Sequence, residues 1–222
     1  MSLIDCVDGF SPALLTELRS IIRHDGILAA ATESSYALCG SPWSEPAVAR
    51  INRLKGRPPD KPLLVLIHRP EELVRLTRDI PEPARVLMRH CWPGPLTIVL
   101  PAHPSLPPGL TAGTQTVGIR WPDYRPLVPL LEAVGPLTGT SANRSGHEPL
   151  TDAQSVQKEF GSDLDVVLDM GPTPGGAPST VVHIEAHAVR LLRAGPVAAP
   201  ELRTLLAPLG IALIEPAAGD LA

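Results

Sequence analysis

Prolines cut this chain into short pieces, and that limits what it can fold into. They number 27 in 222 residues, about 12% and more than double the usual share. A proline has no amide hydrogen and a fixed φ, so helices and central strands must begin or end around it. The prolines here are scattered between apolar runs without a period, which excludes a collagen-like or linker-like chain. Hydrophobic residues make up 44% and charged residues 19%, enough apolar material for a packed core and against global disorder. Aromatics are only 3%, so Leu, Val, Ile and Ala must fill that core.

The apolar pattern predicts short alternating elements. Helices are expected over residues 12–25, 46–55, 70–76, 83–90, 126–134, 151–160 and 201–209, from apolar residues recurring every three or four positions. Ser11-Pro12 and Gly56 supply a start and a stop, and Thr151 with Gln154 is spaced as a capping box. Short buried strands are expected at 27–31, 63–67, 96–100, 117–120, 137–140, 166–168, 180–184 and 189–192. Early βαβ order followed by successive strands predicts an α/β fold: a single domain with a twisted mixed sheet covered by helices. Residues 1–197 are expected to form the body and 198–222 an appendage packed on it.

Several functional classes drop out early. The net charge of −4 gives no global pull toward nucleic acid, though a local basic patch remains open. The cysteines (Cys6, Cys39, Cys91) are odd in number, far apart and without a C-x-x-C pair. That pattern argues against a disulfide framework or zinc site and suits a reducing cytoplasm. Met1–Cys6 lacks a signal-peptide pattern, and no apolar run approaches membrane-spanning length. His24, His68, His90, His103, His147, His183 and His187 show no metal-ligand spacing. Cys39 and Cys91 read as core residues, and Trp92 as packing for a rigid turn. There is no Walker loop, G-x-G-x-x-G, H-E-x-x-H or G-x-S-x-G.

Two stretches hold chemistry-bearing residues at suggestive spacing. The first is Lys55-Gly56-Arg57-Pro58-Pro59-Asp60-Lys61, cations beyond a helix end in a stiff loop. They read either as a solvated loop beside a negative helix terminus or as a clamp for phosphates. Neither Lys55 nor Arg57 is expected in the core, so their alanine variants should lose activity and keep the fold. The second is Thr138-Gly139-Thr140-Ser141-Ala142-Asn143-Arg144-Ser145-Gly146, a strand breaking into hydroxyl and amide residues. It reads either as an ordinary turn or as an anion-binding loop. Thr116–Arg120, Pro178–Val182 and Arg190–Gly195 add polar groups at strand ends, as if converging on one crevice.

These blocks resemble the YrdC/TsaC-like threonylcarbamoyl-AMP synthases. The matching residues are Lys55-Gly56-Arg57-Pro58…Lys61-Pro62-Leu63, Trp92-Pro93-Gly94-Pro95-Leu96-Thr97, Val117-Gly118-Ile119-Arg120, Ser141-Ala142-Asn143-Arg144-Ser145-Gly146, Pro178-Ser179-Thr180-Val181-Val182 and Leu192-Arg193-Ala194-Gly195-Pro196. They stand in the family's order over most of residues 11–197. The resemblance implies a YrdC-like α/β fold with a large concave basic cavity. It implies ATP-dependent coupling of L-threonine and bicarbonate (or CO2) to give threonylcarbamoyl-AMP and pyrophosphate, with Mg²⁺. The product would serve t6A modification of tRNA, and tRNA or tRNA-modifying proteins would be further partners. Carried over by motif, Lys55, Arg57, Lys61, Thr116, Ser141, Asn143 and Arg193 would bind ATP, with Lys55 and Arg57 catalytic. Thr32, Ser34, Arg120, Gly139 and Ser179 would bind threonine, and no protein metal site is implied.

Ser34 stands where the family usually has Thr, Ala37 where it has Gly, and Leu66 where a His is common. The tail after Gly195 resembles the start of the linker that precedes a second domain in longer members. Two other readings remain: a relative that adenylates another carbamoyl or carbamate substrate, and a module binding double-stranded RNA or tRNA.

Overall fold

A computed structural model describes residues 2–56 and 61–216. The chain opens with β1 (Ser2–Asp5), α1 (Pro12–Arg23) and an antiparallel pair, β2 (Ile27–Ala31) and β3 (Tyr36–Gly40). Helix α2 (Glu45–Lys55) precedes β4 (Leu64–Leu66), a 3-10 stretch at Pro70–Arg75, and α3 (Glu82–Cys91). Then come β5 (Leu96–Pro101), the short α4 (Pro108–Thr111), β6 (Thr116–Arg120) and α5 (Val128–Val134). The last part holds β7 (Leu137–Thr138), β8 (Thr140–Ser141), α6 (Ala153–Phe160), β9 (Val166–Asp169) and β10 (Thr180–Ile184). It ends with β11 (Ala188–Arg193), α7 (Ala199–Leu206) and β12 (Ala212–Ile214).

Local chemistry accounts for most helix ends. Ser11 caps α1 by accepting the Leu14 amide, and Pro12 occupies the first turn. Ser44 caps α2, and Gly56 closes it in the left-handed conformation, with φ of 58°. The expected capping box on α6 is corrected. Asp152, not Thr151, is the cap, its two carboxylate oxygens accepting from the Ser155 amide and hydroxyl at 2.8 Å each. A charged acceptor outcompetes a hydroxyl for the orphan amides.

The mixed α/β class stands, with its strands divided between two sheets rather than gathered in one. The smaller runs β1-β9-β2-β3-β8 and the larger β12-β11-β10-β5-β6-β4-β7. Strands β2 and β3 are buried at every position; the alanines of Ile27-Leu28-Ala29-Ala30-Ala31 let layers approach closely on both faces. Strand β3 carries no clean alternation, which is why periodicity alone does not reveal it. Residues 137–140, expected as one strand, form two strands in different sheets. Gly139 is the crossing point: its amide donates to the Leu64 carbonyl at 3.0 Å, and a Cβ there would lie 2.4 Å from Leu66 Cγ. Next to it, the buried Thr138 hydroxyl accepts from the Gly40 amide and donates to the Leu38 carbonyl, tying β7 to β3. At the other edge, β12 pairs in parallel with β11, while Leu202 and Leu206 of α7 are fully buried.

Candidate functional site

A cavity of about 790 Å³ is lined by residues of both sheets. Its floor follows strand alternation in the larger sheet: Thr97 and Val99 of β5, Thr116, Gly118 and Arg120 of β6, and Val181 and His183 of β10 all face it. The walls are loops at strand ends, around residues 32–35, 139–141, 148–151 and 175–179. Tyr36 ties down the start of the segment that leads from β9 to the last of these. Its hydroxyl donates to the Gly171 carbonyl at 2.8 Å and accepts the Met170 amide at 3.1 Å, and burial pushes the phenol up to about 12.

At one pole two guanidinium groups meet the cavity. Arg120 is 5% exposed, its Nε donating to the Gly94 carbonyl at 3.1 Å and its Nη2 meeting the Glu33 carboxylate. Arg193 donates from Nε and Nη2 to the Ser179 carbonyl at 3.0 and 2.9 Å, and from Nη2 to the Ser179 hydroxyl at 3.1 Å. That hydroxyl also shares a 2.8 Å hydrogen bond with Thr97. The close approach depends on Gly195, where a Cβ would sit 2.4 Å from the Thr180 amide nitrogen. Burial, with the nearby charge of Arg193 adding, lowers the Arg120 guanidinium to about 10; burial lowers that of Arg193 too. Both stay charged at neutral pH, and although Glu33 offsets part of the Arg120 charge, the pair leaves this wall net positive and suited to an anion.

At the other pole the geometry corrects an expectation. Lys55 is the last residue of α2, as the helical pattern predicts, but it is 3% exposed and not outside the core. Its ammonium donates to the Ser141 carbonyl, to the Asn143 carbonyl at 2.9 Å and to Asn143 Oδ1 at 3.0 Å. Asn143 Oδ1 also accepts the Ser141 hydroxyl at 2.6 Å, and the Lys55 carbonyl accepts the Ser145 amide at 2.7 Å. Lys55 therefore holds the Ser141–Asn143 turn from below. An alanine there takes the ammonium away from the Ser141 and Asn143 carbonyls, so it is expected to cost stability rather than spare the fold.

Of the residues singled out in the sequence, Thr32, Ser34, Thr116, Arg120, Gly139, Ser141, Ser179 and Arg193 line this one cavity. Asn143 is buried behind Ser141, and Lys61 is exposed beside the lining residue Pro62. Arg57 lies outside the described residues. Sequence reading gave Thr97, Glu33 and His183 no site role, although the alternation Val181, His183 along β10, continuing from Ser179, puts the histidine on the Ser179 face. Leu66, at the position where a histidine is common in the family it resembles, lines the cavity as an apolar surface. The three thiols are buried, and desolvation pushes Cys6 and Cys91 up to about 11 and Cys39 to about 12, which suits packing and not nucleophilic attack. Among the described residues no cluster of His, Cys, Asp and Glu could hold a metal ion, and no helix is long and apolar enough to cross a membrane.

The family model of Sua5, YciO and YrdC proteins, described as "Telomere recombination", matches residues 20–195. A Bacillus subtilis protein named threonylcarbamoyl-AMP synthase is 35% identical over 199 residues, covering 89% of this chain and 58% of its own length. A Thiobacillus denitrificans protein of the same name is 37% identical over 168 residues, covering 75% of this chain and 87% of its own. The structure of Pyrococcus abyssi Sua5 complexed with L-threonine superposes with a TM-score of 0.88 at 33% identity, covering 96% of this chain and 62% of that one. The chain thus spans about three fifths of the length of the Bacillus and Pyrococcus proteins. With the family model covering most of the chain and the fold shared with the Pyrococcus protein, this protein belongs to the Sua5/YciO/YrdC family.

Proposed function

We propose that this chain makes threonylcarbamoyl-AMP from L-threonine, bicarbonate or CO2, and ATP, releasing pyrophosphate. The observation that carries the reading is the arginine pole: Arg120, Arg193 and the Ser179 that Arg193 holds line one cavity together with Thr32, Ser34 and Ser141. The named relatives and the threonine-bound Pyrococcus structure support it. Arg120 presents a fork for the amino acid carboxylate, with Ser179 beside it, and Thr32, Ser34 and the Gly139 backbone complete the threonine pocket. Arg193, Thr116, Ser141 and Lys61 face the nucleotide, with Asn143 holding Ser141 from behind and Arg57 on the same segment as Lys61. Lys55 contributes to catalysis by fixing the Ser141–Asn143 turn.

The reaction asks for charge management more than for a covalent intermediate. The threonine ammonium first gives up a proton; the free amine nitrogen then bonds to the CO2 carbon and loses a second proton, giving a carbamate. A carbamate oxygen then bonds to the α-phosphorus as the α–β bridging oxygen leaves with pyrophosphate. Nucleophile and phosphate are both anionic, so fixed cations lower the barrier by cancelling repulsion and holding the groups in line. Mg²⁺ enters as the counter-ion of ATP, carried by the triphosphate. We further propose that residues 1–197 form the catalytic unit with 198–222 as its appendage. The enzyme would act in the cytoplasm, and its product would supply tRNA t6A modification.

The test is pyrophosphate release from purified protein with ATP, Mg²⁺, bicarbonate and each amino acid in turn. Release that requires both threonine and bicarbonate is the expected result. Release with no amino acid dependence overturns the proposal.

A further inference from the structure

We propose that Glu33 reads the α-ammonium group of the amino acid whose carboxylate binds Arg120. This deepens the reading above and rests on it. Thr32 and Ser34, on either side of Glu33, line the cavity, while Glu33 itself turns to Arg120, its side chain about a quarter exposed. One carboxylate oxygen meets Arg120 Nη2. The other, Oε2, is buried and has no donor among the described residues. A carboxylate satisfied on one side only is a costly thing to bury, and its vacant side calls for a donor.

Arg120 has capacity left to share. Of its five N–H groups, Nε serves Gly94, one on Nη2 serves Glu33, and Nη1 makes no hydrogen bond among the described residues. An amino acid carboxylate on Nη1 carries its ammonium one carbon away, within a few ångströms, where Glu33 is the neighbouring carboxylate. The zwitterion then lies antiparallel to the Arg120–Glu33 ion pair, each charge facing its opposite. A carboxylate lacking the ammonium instead meets an arginine already half neutralised by Glu33, with Glu33 repelling it. The site therefore selects a free α-amino acid over hydroxy acids and N-acylated amino acids. After carbamate formation the nitrogen keeps one hydrogen, which can still donate to Glu33.

The opposite role for the same contact is a plug, with Glu33 filling the carboxylate slot until substrate displaces it. The two roles predict opposite outcomes. Calorimetry compares L-threonine with (R)-3-hydroxybutyrate, the same molecule without the ammonium, on the wild type and on Glu33→Gln. The wild type is expected to prefer threonine by about tenfold or more, the scale of one charge-assisted hydrogen bond. Glu33→Gln is expected to close most of that gap by weakening threonine, with Glu33→Asp intermediate. An unchanged gap, or tighter threonine binding by Glu33→Gln, overturns the inference. Equal weakening of both ligands with a lower melting temperature overturns it too, leaving Glu33 structural. If the wild type binds a different α-amino acid, the threonine assignment fails and the same comparison is run on that amino acid and its deaminated form. If it binds none, both proposals fail.

Discussion

Two cationic regions serve the same cavity, one facing it and one set behind its wall, and the protein uses them differently. At the α2 end, Lys55 is sealed off, its ammonium engaged by the backbone and side-chain oxygens of the Ser141–Asn143 turn. At the β6 and β11 end, Arg120 and Arg193 each anchor to one backbone carbonyl and still face open space. The difference lies in the side chains. An ammonium is a compact point charge that a few oxygens saturate, whereas a guanidinium spreads five donors over a planar fork and can serve protein and ligand together. The two regions thus share a sign of charge but divide the labour, one shaping the wall and the other meeting the ligand.

The sharpest way to break that comparison is Lys55→Met. It leaves several buried acceptors without a donor, so stability should fall by about 2–4 kcal/mol, measured by denaturant titration. Pyrophosphate release should fall by roughly 100-fold or more, because the Ser141 loop loses its support. Full stability with lost turnover would move Lys55 into the ligand-contacting group. Arg193→Lys probes the other region by keeping charge and removing the fork on Ser179. Turnover should drop by roughly 10- to 100-fold while the melting temperature holds within a few degrees. A large loss of stability there would erase the distinction.

Gly139→Ala acts on the seam between the sheets. Its Cβ would collide with Leu66, so a destabilisation of about 1–3 kcal/mol is expected from the urea midpoint. Ser34→Thr should have the smallest effect. Adding one methyl beside the amino acid should shift the KM for threonine by about fivefold, with kcat almost unchanged. A large kcat effect would mean that Ser34 positions the reacting atoms.

How far the site was legible can be judged residue by residue. Ser11-Pro12, the α2 helix with Gly56, and strand 27–31 are local patterns, set by capping and burial within a few positions, and they fold as read. The resemblance-bearing blocks also led to most of the cavity wall. Strand β3 stayed hidden because both its faces are buried, and burial on two sides erases the alternation that reveals a strand. Residues 137–140 read as one strand because their apolar pattern cannot say that Gly139 passes them between sheets. Glu33, between the two expected threonine-binding residues Thr32 and Ser34, was given no role of its own, since its partner Arg120 stands 87 positions away in the chain.

The amino acid order alone determined the short elements, their caps, the α/β class and the residue types available to hold anions, because those depend on neighbours within a turn or a strand. Only the tertiary structure decided which cation faces the cavity and which is walled in behind it. A side chain's exposure depends on what the remainder of the chain stacks against it. Lys55 and Arg193 differ in that respect because a loop almost ninety residues downstream closes over the first, while Gly195 draws the second beneath Ser179 and leaves it open.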